Sequence, residues 1–569
     1  MASVTDATGG ARIAPRPSRP TPTRAPVIEV PDGFWALESS QNPEPISPMA
    51  ASFFLEALTE GFRHLFAEIG MLAETAECKA IGGWVYVRTI PFAGDEQAMA
   101  ARLERCREAV DDDLAGRYLQ RWDEQWRPWL DRRADDLGGV NLVGLDEHGL
   151  AEHLREVIEF VFAATDVHML LHASNSLILG ELAFACRDLL DWDEPQVFEL
   201  LCGTSAASTE PARRLAQLAE LARDRSPVRE LLDDPTNAVA RLADTDPAFA
   251  TAFQAYLDEF GWRSIRYEVI DPTVGERPEL LLRLVRDQVR SGYDQAAVDA
   301  RTAKRQAQAR AAARAGLAER DPEARGRFER LLQRAERCYP IREDNEVRTT
   351  NVPLGLTRRA LLEVGQRLAA AGTIDQRDGV FLLGWEEAAD ALLERADLRS
   401  LVRGRGTERD WAQKHPGPAS YGSAPPEPDL SGLPATARFV HEATGWAIDR
   451  VLAPTAAAHR QAGPVIEGIP AAPGRHTGPA RIVLSEDDFD KLRPGDVLVC
   501  PVTSPAWSPV FPTVAALVSD TGGILSHQAI IAREFGIPAV VATGNATELL
   551  VDDQIITVDG DQGRVEARP

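Results

Sequence analysis

The stretch Ser519–Val541 reads S-D-T-G-G-I-L-S-H-Q-A-I-I-A-R-E-F-G-I-P-A-V-V, and its reading decides the fold of the region around it. An apolar run, Ala515–Val518, leads in as a strand. Gly522 and Gly523 supply a turn in which the backbone takes positive φ and points successive N–H groups inward, forming an anion-binding nest. Ser526 is placed to cap a helix, so His527 falls in the first turn, where unpaired N–H groups and the helix dipole favour negative charge. Ile530, Ile531 and Phe535 anchor that helix to the sheet, Gly536 closes it, and Ile537-Pro538 starts the next strand. A lone histidine at a helix start is ordinarily a cap or a core residue. In this frame a neutral imidazole can act as a nucleophile through one nitrogen while the other is oriented by a hydrogen bond. His527 is therefore a candidate carrier of phosphate, with Gly522, Gly523 and Ser526 as phosphate-binding residues.

Outward from this stretch, short β runs alternate with short helices from Gly468 onward: Arg481–Leu484, Asp496–Cys500, Ala539–Val541 and Ile555–Val558. That alternation predicts an α/β domain over 468–569. Upstream the texture is helical. Apolar residues recur at the 3.6 period in Phe53–Ile69 and Glu152–Val167, two long helices are expected between Pro278 and Ala335, and others over Leu356–Ala371 and Ala437–Val451. Short strands are expected at Gly82–Arg88 and Asp378–Leu383. Residues 403–434, dense in Gly, Pro, Ser and Asp, predict a long loop. The expected organisation is a disordered Pro-rich tail (1–30), a mainly helical substrate-binding domain (31–455), a hinge linker (456–467) and the α/β domain.

Composition narrows the function. A chain of 569 residues predicts two to four domains. A net charge of −25 argues against nucleic acid and against an anionic membrane surface as partner. Lysine occurs only at Lys79, Lys304, Lys414 and Lys491. Cys78, Cys106, Cys186, Cys202, Cys338 and Cys500 show no C-x-x-C pairing and read as buried small hydrophobes. No apolar run reaches the ~18 residues of a transmembrane helix, and no signal-peptide core is visible, so a cytoplasmic protein is expected.

The Ser519–Val541 pattern resembles the phosphohistidine swivelling domain of the phosphoenolpyruvate-utilising enzymes, a family that includes phosphoenolpyruvate synthase, pyruvate phosphate dikinase, rifampicin phosphotransferase and phenylphosphate synthase. Gly468-Ile469-Pro470-Ala471-Ala472-Pro473-Gly474 with Gly478–Val483 looks like the entry motif of that domain, and Pro501-Val502-Thr503-Ser504-Pro505-Ala506-Trp507 like its middle motif. By resemblance, the C-terminal domain swivels and His527 carries phosphate. Trp35 with Pro45 and Ser47-Pro48, Gly83–Arg88, Phe260–Arg263, Arg342-Glu343 and Arg359–Gly372 are similar to the acceptor-binding domain of rifampicin phosphotransferase-like proteins. The resemblance implies His527, Arg342 and Glu343 as catalytic residues. It implies Arg88 and Arg263 as grips on substrate or phosphate, and Trp84 and Tyr86 as aromatic walls of an acceptor site, to which Trp262 and Tyr267 could add.

Two departures from that pattern shape the expected function. No stretch reads as the ATP-grasp domain that loads such a histidine, and there is no G-x-x-x-x-G-K-[ST] loop. The polypeptide alone is expected not to turn over ATP. A separate ATP-grasp subunit is the expected partner, and Mg2+ and ATP enter only through it, with no metal site and no tightly bound cofactor here. The second departure is Arg342-Glu343-Asp344-Asn345-Glu346, which puts acids where a cation would meet phosphate. The expectation is thus a phosphotransferase passing phosphate from His527 to a hydroxyl of a small, aromatic or natural-product acceptor. The alternative is a repurposed, ATP-independent dehydratase or lyase, with His527 as general acid/base alongside Glu343, Asp344 or Glu346. A non-catalytic ligand-binding protein is the third reading.

Overall fold

The computed structural model describes residues 27–452, 463 and 465–567, apart from Tyr267, Gly292, Arg395 and Glu427 and the side chains of Ser174, Ala206 and Leu452. Residues 1–26 of the expected tail (1–30), residues 456–462 and 464 of the expected hinge (456–467), the last residues of the expected helical domain (453–455) and Tyr267 lie outside the described residues.

One helix, Glu147–Leu190, organises the helical region. Asp146 caps it by accepting the Gly149 N–H, and it ends at Asp191 in the left-handed region, φ 57°. Leu150, Leu154, Val157, Val161, Ala164 and Leu171 are almost fully buried along it. The helices Phe54–Ile69, Val352–Ala370 and Ala435–Leu452 pack around this stem. Among the described residues it alone has the length and apolarity to cross a membrane, and 71% of its most apolar 18-residue window is buried by its neighbours, as in a core helix.

A small antiparallel sheet caps one end of the region. Its strands are β1 (Trp35–Leu37), β2 (Ala73–Ile81), β3 (Trp84–Pro91) and β4 (Ser420–Tyr421), in the order β2-β3-β1-β4. The predicted strand at Gly82–Arg88 is thus real, as half of a hairpin turned by Gly82 and Gly83 at positive φ. The strand expected at Asp378–Leu383 is instead a 3₁₀ turn, Arg377–Leu382, which buries Val380 and Phe381 against helix Val352–Ala370.

The loop expected over 403–434 is overturned in its first third and stands over most of the described remainder. A helix covers Arg399–Lys414 despite Gly404 and Gly406. Arg405 holds it by donating to the Leu382 carbonyl and to Glu387, and such tertiary contacts outweigh the roughly 1 kcal/mol helix penalty of each glycine. The two helices expected between Pro278 and Ala335 are three: Pro278–Ser291, Gln295–Gly316 and Pro322–Cys338.

The C-terminal domain is an eight-stranded mixed sheet. In chain order its strands are β5 (Val465–Glu467), β6 (Ile469–Ala472), β7 (Arg475–Ile482), β8 (Val497–Cys500), β9 (Ala516–Ser519), β10 (Ala539–Val541), β11 (Ile555–Asp559) and β12 (Arg564–Ala567). The spatial order is β5-β12-β11-β7-β8-β9-β10-β6. The centre, β7-β8-β9-β10, is parallel, and β8, β9 and β10 are buried and almost wholly apolar, as strands covered on both faces require. His527 opens the Val-poor helix His527–Phe535 just past the C-terminal end of β9, the end at which open α/β sheets place their ligands.

Two apolar clusters tie this domain to the helical region. The larger unites Leu215, Leu218, Phe249, Phe253, Leu281 and Val285 with Phe489, Trp507, Phe511, Ile531 and Phe535. The smaller places Ile524, Leu525 and Ile530 against Ile178, Leu182, Leu332 and Tyr339. All six cysteines are buried and free, as their spacing suggested.

Candidate active site around His527

The loop before His527 is shaped by packing. Gly522 has φ +98°, and a Cβ there would lie 2.1 Å from Gln528 Nε2. The glycine makes room for that side chain, which donates to Ser519 Oγ (2.9 Å) and the Thr521 carbonyl (2.5 Å) and accepts the Thr503 N–H (2.9 Å). Gln528 thereby ties together the loops after β8 and β9. A Cβ on Gly523 would lie 2.0 Å from the Arg450 carbonyl, where the end of helix Ala435–Leu452 also accepts the Leu525 N–H at 2.9 Å. Neither glycine lines the cavity beside His527. The nest expected from them is replaced by two close approaches that fix the loop.

Ser526 has the extended backbone of an N-cap, φ −68° and ψ 156°, yet its side chain makes no capping bond. Its Oγ is buried without a hydrogen-bond partner, so the hydroxyl is left for the cavity it lines. That cavity, about 100 Å³, lies between the two domains. On its C-terminal-domain side stand Val502, Thr503, Ser526 and His527; facing them are His168, His172, Arg342, Glu343 and Glu346, with Phe54 and Leu58 as an apolar wall.

His527 is oriented from across the interface. Its Nδ1 is 2.7 Å from Glu343 Oε2, and both side chains are only about a tenth exposed. A carboxylate can only accept, so Nδ1 carries the proton and Nε2 holds the lone pair. That Nε2 is buried and has no partner in the protein. Burial pushes the Glu343 carboxyl up, but His527, Arg342 and Arg263 prevail and hold it below its ordinary value.

The turn Ile341–Asp344 sorts the acidic run by direction. Arg342, Glu343 and Glu346 face His527, whereas Asp344 points to another cleft, lined by Arg263 and Arg348. Arg342 Nε donates to the Leu525 carbonyl (3.1 Å), and its Nη1 lies 3.5 Å from His172 Nδ1. Burial and the neighbouring Glu343 charge raise Glu346 to about 7 and Asp344 to about 6. The cation missing from this run is thus offset by a carboxyl that holds its proton up to neutral pH.

Two residues of the site escaped sequence reading. His168 and His172 stand one turn apart on the central helix, ring centroids 4.4 Å apart, and both line the cavity. Burial lowers His168 to about 4 and holds His172 well below the usual histidine range, so both rings are neutral. The signal available was the H-x-x-x-H spacing at 168 and 172 inside an apolar helix, which puts both rings on one face.

Other expected site residues fall elsewhere. Trp84 and Tyr86 belong to the β1–β4 cluster with Trp35 and Ile81, and the Tyr86 hydroxyl donates to the Pro418 carbonyl at 2.8 Å. Arg88 lies 4.6 Å over the Trp35 ring and donates to the Asp32 carbonyl (2.6 Å) and Glu77 (2.5 Å). None of the three lines the cavity; the residues that the resemblance offered as walls and grip of an acceptor site pack a sheet here. Arg263 is buried one layer behind, donating to the carbonyl of the cavity-lining Pro505 at 3.3 Å. Its charge still reaches Glu343. Trp262 packs against Gly355, away from His527.

Comparison with known proteins follows the same division. Residues 492–563 match the mobile domain of PEP-utilising enzymes, and residues 169–343 match the fourth domain of rifampicin phosphotransferase. An uncharacterized phosphotransferase, YvkC, from Bacillus subtilis is 28% identical over 94% of this chain and 61% of its own length. Rifampicin phosphotransferase from Streptomyces sviceus is 30% identical over 63% of this chain and 39% of its own. Chondramide synthase cmdD from Chondromyces crocatus is 28% identical over 96% of this chain, which spans 14% of that protein. The chain is a relative of the rifampicin phosphotransferases and carries the mobile domain of the PEP-utilising enzymes.

Proposed function

We propose that this chain is a phosphotransferase in which His527 accepts a phosphoryl group on Nε2 and passes it to a hydroxyl of a small molecule bound against the helical domain. The observation that carries this reading is the state of the two ring nitrogens. Nδ1 is tied to Glu343 at 2.7 Å, while Nε2 is buried, unpartnered and aimed into a cavity. Buried polar groups without partners are rare and call for an explanation. Ser526 Oγ, Thr503 Oγ1 and His172 Nε2 share that condition around the same cavity. A phosphoryl group, with three acceptor oxygens, would satisfy them. As Nε2 bonds to phosphorus the ring gains positive charge, which the Glu343 carboxylate stabilises. The Arg342 guanidinium offsets charge on the phosphoryl group.

The donor in this reading is an ATP-binding partner that loads His527 when the C-terminal domain leaves Glu343. ATP and magnesium act in that loading step. Among the described residues no group of three His, Cys, Asp or Glu side chains could hold a metal ion. The names of two relatives, rifampicin phosphotransferase and chondramide synthase, support a natural-product acceptor, and Phe54 and Leu58 offer it an apolar wall.

One observation favours the dehydratase or lyase alternative. Glu346, raised to about 7, stands in the same cavity as His527 and could exchange protons with substrate at neutral pH. Labelled ATP separates the two readings. With an ATP-grasp partner present, the phosphotransferase takes up acid-labile label that His527→Ala abolishes. If no label is taken up under any condition, while a metabolite is turned over in a His527-dependent way, the lyase reading replaces it.

A further inference from the structure

We propose that His168 is the general base that takes the proton of the acceptor hydroxyl during transfer from His527, an inference that rests on the carrier reading above. The argument is one of tautomers. Asn345 Nδ2 donates to the carbonyls of Ile341 (2.5 Å) and Arg342 (3.0 Å), which fixes its amide so that Oδ1 faces His168. His168 Nδ1 lies 2.7 Å from that Oδ1 and 3.1 Å from Thr349 Oγ1. The hydroxyl is itself committed, donating to Asn345. Nδ1 of His168 therefore carries the proton, and its Nε2 lone pair is left to the cavity the ring lines.

The neighbouring ring has the opposite tautomer. The Arg342 guanidinium, a donor only, faces His172 Nδ1, so the proton of His172 is on Nε2, buried without a partner. The cavity thus holds two ring lone pairs, on His527 and His168, and a set of donors. His527 is spoken for by phosphorus, so His168 is the ring with a free basic nitrogen. Burial keeps it unprotonated down to about 4. The groups around it are Glu343, Glu346, Arg342, His172 and His527, with Glu346 Oε2 4.0 Å from Nδ1.

The step balances within these atoms. The acceptor O–H bond breaks and its proton goes to His168 Nε2. The new O–P bond forms as the P–Nε2 bond of His527 breaks, and the electron pair of that bond returns to the His527 ring. His168 releases its proton to water when the phosphorylated product leaves.

The test loads the full chain with labelled phosphoramidate, which phosphorylates imidazoles without a partner protein. The loaded chain is then chased with phenol or 4-nitrophenol, chosen to suit the Phe54 and Leu58 wall. At about pH 8 phenol still holds its proton whereas 4-nitrophenol is largely ionised, so only phenol needs a base. In His168→Asn the side-chain amide preserves the hydrogen bond to Asn345 and removes the basic nitrogen. The expected result is unchanged loading, transfer to phenol slowed at least ~10-fold, and transfer to 4-nitrophenol changed less than ~3-fold. Equal slowing of both phenols would make His168 a structural residue, and no slowing of either would remove it from the reaction; both overturn the inference while the carrier reading stands. Failure of the wild-type chain to take acid-labile label at His527 would overturn the carrier reading itself.

Discussion

Glu343→Gln keeps the shape of the contact with His527 and removes its charge. At 2.7 Å the pair is close and largely shielded from water, with both side chains about a tenth exposed. Two unit charges at that separation interact by about 6 kcal/mol at an effective dielectric near 20, which is a ceiling. The net value of a buried hydrogen bond to a charged group is about 1.5–3 kcal/mol, or roughly 10- to 150-fold in rate. A second effect acts in the same direction. A glutamine can turn its NH₂ toward Nδ1, which puts the ring proton on Nε2 and removes the nucleophile. The assay is the initial rate of acid-labile labelling by phosphoramidate at about pH 7, with Tm measured alongside. The expectation is a labelling rate at least ~10-fold below wild type with Tm nearly unchanged. Wild-type labelling by the variant would show that Glu343 neither orients nor stabilises the ring. The pH dependence has a definite sign. Because the Glu343 carboxyl is held below its ordinary 4.5, its contribution is complete above that value and is lost as pH falls through the depressed one.

Three further expectations can be checked by thermal unfolding and labelling. Glu534 is buried and raised to about 7, so its contribution to stability is full below 4.5 and disappears as pH rises through about 7. Glu534→Gln, which can still accept the Gly203 N–H, should flatten a decline of up to about 3 kcal/mol between about pH 5 and pH 8, seen as Tm against pH. Gly523→Ala drives a methyl to 2.0 Å from the Arg450 carbonyl and should cost about 1–3 kcal/mol, with a lower Tm and slower His527 labelling. Arg88→Ala should lower Tm by loosening the contacts to Trp35 and Glu77 yet leave the labelling rate within ~2-fold, since surface and sheet contacts of this kind do not reach the cavity.

What could be read in advance was whatever local sequence determines. The strand–turn–helix frame of His527 depends on near neighbours, and Ser519–Val541 spells it out. Arg342 and Glu343 were legible because the run around them matches a known pattern. His168 and His172 were not, since their partners Asn345 and Arg342 lie 177 and 170 residues away and only the fold brings that turn against the central helix. Trp84, Tyr86 and Arg88 misled for the opposite reason. Aromatic and charged residues alternating on a strand look alike whether they wall a pocket or pack a sheet, and only Trp35 and Tyr421, brought in by β1 and β4, decide between the two. The glycines before His527 were right in position and wrong in purpose: a positive φ is readable from the sequence, but the nearness of Arg450 and Gln528 is not.

The two apolar clusters that hold the C-terminal domain are unequal, and that inequality chooses the line along which the protein parts. On the Glu343 side the domain inserts Ile524, Leu525 and Ile530. On the other side Phe489, Trp507, Phe511, Ile531 and Phe535 are sunk among the helices between Leu215 and Val285. Baring one large apolar side chain costs about 1.5–3 kcal/mol, so stripping the second surface would demand far more than lifting off the first. In the proposed carrier reading, a departure of His527 from Glu343 would therefore take those helices along as ballast, and the travelling body would be heavier than the α/β domain by itself.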